Sequence, residues 1–220
     1  PDVWVGDKPA GHSGLVVLGA PIGDQPFLRE HALARVSDEA QFARIIPQVP
    51  DLQSAWLLLL MCAHPRANHL LRALPPELAA GYAADHDLLI GQTLASLLQR
   101  EHLSARTLRI ASLPLRLGGL GLRAATRIAP AAFCASWADC LPVLLLRTPQ
   151  LAEDILVQLT SGAPGASCLQ ALLAAAATLA AEGFDDPPTW RAFAEGARPP
   201  RPPRDEAEPG EWKHGWQRGQ

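Results

Sequence analysis

Paired cysteines are missing from this chain. Cys62, Cys134, Cys140 and Cys168 form no C-x-x-C motif, so neither a redox pair nor the usual zinc framework is written here. A 220-residue chain rich in Leu and Ala can bury a core without disulfides. The four are therefore read as reduced, buried, small apolar residues of an intracellular protein, with nucleus or cytoplasm left open. Lysine is nearly absent as well: Lys8 and Lys213 are the only two, and arginine supplies the remaining positive charge. Biased base composition explains that as well as function does, though arginine suits bidentate phosphate contacts better than lysine. No run reaches the roughly 18 uninterrupted apolar residues that span a bilayer. "AWLLLLMCA" is too short and reads as a buried helix, so no membrane is expected. No basic start leads into an apolar run, which argues against a signal peptide. The chain opens "PDVWVGD" without Met, which suggests a piece of a longer protein.

The most informative gap is acidic. Between His102 and Ala138 there is no Asp or Glu, yet five arginines lie there: Arg106, Arg109, Arg116, Arg123 and Arg127. The net charge of −3 gives no overall attraction to nucleic acid. Charge is unevenly spread, with acids gathered elsewhere, as in "DEAEPGE". Arginines on a helix and an adjoining glycine loop can follow a phosphate backbone. The plainer reading is a solvated basic face.

Along the chain, "GLVVLGAPIG" has the β-branched, glycine-bounded pattern of a buried strand. Asp24 then caps a helix, with Pro26 tolerated in its first turn. "FLREHALARVSDEAQFARII" follows at helical spacing, with a break expected near Ser37. Asp51 caps a central buried helix that Pro65 kinks or divides. A further helix starts after Pro75 and Pro76. The stretch from Arg123 is helical, with interruptions expected at Pro130 and Pro142. Two more helices precede Gly183, a C-terminal stop. From Asp185 the composition turns to Pro, Gly and charge, as in a linker or disordered tail. No repeat period is evident. The fold class is mainly α: a multi-helix bundle with a small β element at its start.

Several motifs compete for a function. Gly119, Gly121 and Ala124 in "LPLRLGGLGLRAA" fit G-x-G-x-x-A, and Asp139 lies 20 residues after Gly119, as in a dinucleotide turn. The flanks lack the alternating strands such a fold needs. Gly118, Gly119 and Gly121 are therefore read as a structural turn, with at least one at positive φ. "GYAADHD" holds Asp85 and Asp87 two apart on a helical stretch, where they point in different directions and suit no metal pair. His64 and His69, five apart, are poor zinc partners. Ser13 in "GHSGL" misses the nucleophile-elbow pattern at Leu15. No catalytic or metal-binding residue is nominated, and no cofactor. "RPPRPPR" (198–204) has the form of a polyproline ligand for an aromatic groove.

Three segments in order, "GLVVLGAPIGDQPFLREHAL", "IPQVPDLQSAWLLLLMCAHPRANHLLRALPPE" and "LPLRLGGLGLRAATRIAPAAFCASWADCLP", resemble the region downstream of the catalytic core in reverse transcriptases of LINE-like, non-long-terminal-repeat retroelements. The resemblance covers roughly residues 14–147, and "EPGEWKHGWQ" looks like a continuation. It implies that residues 1–23 end a palm-like β element and 24–147 form a thumb-like helical domain. Residues 148–184 would add helices, and 185–220 would be the linker or tail. It implies a parent RNA-directed DNA polymerase whose metal site lies upstream, because this chain has no Tyr-x-Asp-Asp turn. The fragment would be non-catalytic. It would help grip an RNA or DNA template–primer through backbone contacts from Arg106, Arg109, Arg116, Arg123 and Arg127, with the upstream catalytic region as its other partner. A helical interaction or scaffold domain is the rival reading.

Overall fold

The computed structural model describes residues 13–184 and 186–198. The chain is mainly helical with a small two-stranded sheet near its start. It divides into two compact units. One comprises residues up to 74 together with 78–129, and the other residues 75–77 together with those from 130 onward.

The first unit opens with β1 (Gly14–Val17) and β2 (Ala20–Gly23), an antiparallel hairpin pairing Leu15 with Ile22 and Val17 with Ala20. "GLVVLGAPIG" is thus two strands and not one buried strand. Leu18 and Gly19 form the reversal, both at positive φ (51° and 81°), the combination that a tight two-residue hairpin requires. Leu15, Val16, Val17, Leu18 and Ile22 are exposed, Leu18 at 94%.

Helix α1 (Gln25–Ile45) begins where Asp24 accepts hydrogen bonds from the amides of Phe27 (3.0 Å) and Ser13 (2.8 Å). The second bond ties the hairpin to the helix. α1 runs through Ser37 without a break, because Ala32, Glu39 and Ala43 continue its buried face on either side. Asp51 caps α2 (Leu52–Leu58), accepting from the Ser54 amide at 2.7 Å. A π-helical turn (Leu59–Ala63) and a 3₁₀ turn (His64–Arg66) follow around Pro65, before α3 (Ala67–Ala73). Pro65 has no amide to donate, so regular helix gives way there. The "AWLLLLMCA" stretch is buried on one side only: Ala55, Leu59 and Ala63 face the core, whereas Leu57 and Met61 are exposed. α4 (Pro76–Leu97) and α5 (Ala105–Ser112) complete this core through Ile90, Leu94 and Ala111.

Helix α6 (Ala125–Arg147) contains Pro130 and Pro142 without interruption. Burial of Ala132, Phe133, Ala135, Ala138 and Leu141 offsets the hydrogen bonds the prolines remove. In the second unit it is followed by α7 (Pro149–Ser161), α8 (Ser167–Ala181) and α9 (Trp190–Ala194). α6 is also long and apolar enough to cross a bilayer by length and composition. Phe133 and Cys134 form core with Leu159, Leu169 and Leu172, whereas Val143 and Leu146 are exposed. α9 falls in a segment expected to be linker. Thr189 caps it, Phe193 and Ala194 are buried, and Arg191 donates twice to Glu153 on α7 (2.8 and 2.5 Å). A Pro-rich composition hid five residues of helix because the anchoring contacts are non-local. Residues 199–204 of the polyproline motif and the "EPGEWKHGWQ" tail lie outside the described residues.

Candidate nucleic-acid interface

The arginine-bearing segment is built on a turn that folds back onto α5. After Ser112, Leu115–Leu117 form a short 3₁₀ turn ended by Gly118 at φ 77°. Gly121 has φ 71°. Gly119 serves differently: it is buried, and a methyl there would overlap the Leu113 carbonyl. The returning strand of chain hooks onto the end of α5. The amides of Leu120 and Leu122 both donate to the Ala111 carbonyl at 3.1 Å, and Gly121 donates to Leu113 at 2.8 Å. Leu122 is thereby buried beside Ala111.

Two side chains brace this turn from elsewhere in the first unit. His64 Nε2 lies 2.9 Å from the Arg123 carbonyl, fixing the backbone that carries the Arg123 side chain. Burial lowers the His64 pKa below 6.5, only partly opposed by that bond, so the ring is neutral at neutral pH. Asp87 on α4 caps α6. Its Oδ1 accepts from the Ala125 amide (2.6 Å), and its Oδ2 accepts from the Thr126 amide (3.1 Å) and hydroxyl (2.7 Å). A carboxylate therefore already occupies the helix N-terminus where a dinucleotide turn would hold its pyrophosphate.

Behind His64 sits a buried polar cluster. Glu39 Oε1 accepts from the Tyr82 hydroxyl at 2.6 Å, and Oε2 accepts from His86 Nδ1 at 2.7 Å. His86 Nε2 donates to the His64 carbonyl at 3.2 Å. Both ring nitrogens face groups that only accept. Burial pushes the Glu39 carboxyl up. The bonds from His86 and Tyr82 and electrostatic attraction toward His86 more than offset this and hold it below 4.5. Burial, followed by the Glu39 bond, pushes the Tyr82 hydroxyl well above 10.0. Sequence reading missed this cluster. Its signal was present: Tyr82 and His86 are four apart on one face of an apolar helix, and Glu39 is in phase with Leu28, Ala32 and Ala43.

All five arginines nominated from sequence are exposed, and none forms an ion pair within the described residues. Arg106 and Arg109 stand three apart on α5 and share a face. Arg116 lies in the 3₁₀ turn, Arg123 at the end of the return, and Arg127 in the first turn of α6. Arg109 and Arg123 line one groove of about 240 Å³ between α4, α5 and the return. No group of three or more His, Cys, Asp or Glu that could hold a metal occurs among the described residues. Asp85 and Asp87 do not form a pair, since Asp87 is committed to α6.

The cysteines differ from expectation. All four are free, but only Cys134 is buried, while Cys62, Cys140 and Cys168 lie on outward faces. Burial pushes the Cys134 thiol up to about 12, so it is protonated and a poor nucleophile at neutral pH. It lines an apolar cavity of about 440 Å³ in the second unit, under Trp190 and Phe193.

No family model, curated protein or solved structure matches the chain.

Proposed function

We propose that this chain is a non-catalytic, thumb-like part of a retroelement reverse transcriptase that helps hold template–primer nucleic acid by its phosphate backbone. The observation that carries the reading is five exposed arginines that form no ion pair among the described residues, set on α5, the turn it folds into and the start of α6. Free guanidinium groups suit bidentate phosphate contacts. Such contacts position a duplex without reading its sequence. The order of sequence segments supports the family assignment, and the free cysteines suit an intracellular setting. The exposed apolar hairpin is a surface of the kind a partner covers. In this reading that partner is the upstream catalytic region.

The same hairpin favours the second reading, a helical protein-interaction domain with no nucleic-acid role. Filter binding of an RNA–DNA duplex separates the two. Backbone gripping requires binding at low salt that weakens in the Arg116→Ala/Arg123→Ala variant. Undetectable binding, or binding that is unchanged in the variant, leaves only the second reading.

A further inference from the structure

We infer that the groove holding Arg109 and Arg123 is a subsite for one unpaired nucleotide, with the base on the apolar floor and the phosphate between the two guanidinium groups. This rests on the backbone-gripping role proposed above and adds a preference to it. The floor is apolar, formed by Ile90, Leu94, Leu108 and Leu122. Its rim carries Arg109 and Arg123, neither of which has an acidic partner within the described residues. An apolar lining beside two cations complements the two halves of a nucleotide.

Asp87 also lines the groove. Both its oxygens are engaged by Ala125 and Thr126, and its charge is offset by the positive end of α6. The two arginines therefore set the sign of the rim. Size points the same way. At about 240 Å³ the groove is smaller than the roughly 300–1,000 Å³ of pockets that enclose a drug-sized ligand. It suits one ring system with its phosphate outside, and not a dinucleotide. The room exists because position 91 is glycine: a Cβ there would already lie 3.4 Å from Leu108 Cδ2. A longer side chain would occupy the floor.

The test compares two RNA–DNA duplexes, one blunt and one with a single unpaired 3′ nucleotide, bound to the whole chain. The unpaired nucleotide is expected to tighten binding roughly tenfold, equivalent to about 1.4 kcal/mol. Gly91→Leu is expected to abolish that gain while retaining binding and salt response for the blunt duplex. Should Gly91→Leu fail to fold, titration of the wild-type chain with adenosine monophosphate gives an independent readout. Shifts of the Leu108 and Leu122 methyl resonances, weakened in Arg109→Ala, are then expected. Equal affinity for both duplexes overturns the inference and leaves the gripping role standing, as does a preference that survives Gly91→Leu. Methyl resonances that do not move overturn the inference too. Failure to bind either duplex overturns both.

Discussion

Removing the Glu39 side chain tests whether the buried polar cluster holds the first unit together. The Glu39 and His86 side chains are each only 2% exposed. Glu39→Ala deletes the acceptor for two short bonds, from Tyr82 and His86. It leaves a hydroxyl and an imidazole N–H buried without their partner. Orphaning two buried donors costs about 1–3 kcal/mol each, against a total stability of about 5–15 kcal/mol for a typical domain. Urea unfolding followed by circular dichroism reads the loss, and amide exchange along α4 locates it in the first unit. Glu39→Gln keeps the shape but offers a neutral acceptor, and an intermediate loss is expected. The triple variant Glu39→Leu/Tyr82→Phe/His86→Leu removes the carboxylate, hydroxyl and imidazole together and leaves only the His64 carbonyl without its His86 bond. It is expected to recover most of the stability lost in Glu39→Ala, because apolar replacement of both partners of a buried hydrogen bond can be nearly neutral. A Glu39→Ala cost under about 1 kcal/mol, or a triple variant no more stable than the single one, would refute the reasoning.

Other outcomes follow from the same contacts. Because burial lowers the pKa of His64 in the folded chain, the unfolded chain binds the extra proton more readily, so stability should begin to fall as pH drops below about 6.5. His64→Gln should shift that onset to lower pH in an acid titration followed by circular dichroism. Glu39 has the opposite arrangement: its depressed carboxyl pKa contributes stability that is complete above about 4.5 and lost as pH falls through the folded value, so Glu39→Gln should flatten that limb. Two adjacent glycines should differ in thermal melts. Gly118→Ala meets open space and strains only its positive φ, costing about 1–2 kcal/mol, whereas Gly119→Ala collides with the Leu113 backbone and should cost more. Equal melting temperatures for the two variants would contradict the turn geometry.

Local signals in the sequence carried much of the fold. Asp24 and Asp51 cap helices through their own side chains, and the helical spacing after each needs no distant contact to be read. The β element was legible in kind but not in form. The glycine-bounded apolar run "GLVVLGAPIG" hides a reversal at Leu18, where a non-glycine residue takes positive φ. Pro130 and Pro142 misled for a related reason: proline's local cost is legible, but the burial around it that lets α6 continue is not. The arginines could be named because their lack of acidic neighbours is a sequence property. Their bracing could not, since the Asp87 contacts with α6 span 38 and 39 residues and the His64 contact with Arg123 spans 59. Nor does the glycine spacing distinguish Gly119, needed for close approach, from Gly118 and Gly121, needed for positive φ.

The dependence of duplex affinity on salt tests the proposed gripping role most directly. Five phosphate contacts give a slope of log affinity against log salt near −4.5 at about −0.9 per contact. That corresponds to a roughly 500-fold loss between 50 and 200 mM salt. Arg116→Ala/Arg123→Ala should make the slope shallower by about 2. A slope near zero, or one that the double substitution leaves unchanged, would contradict backbone gripping by these arginines.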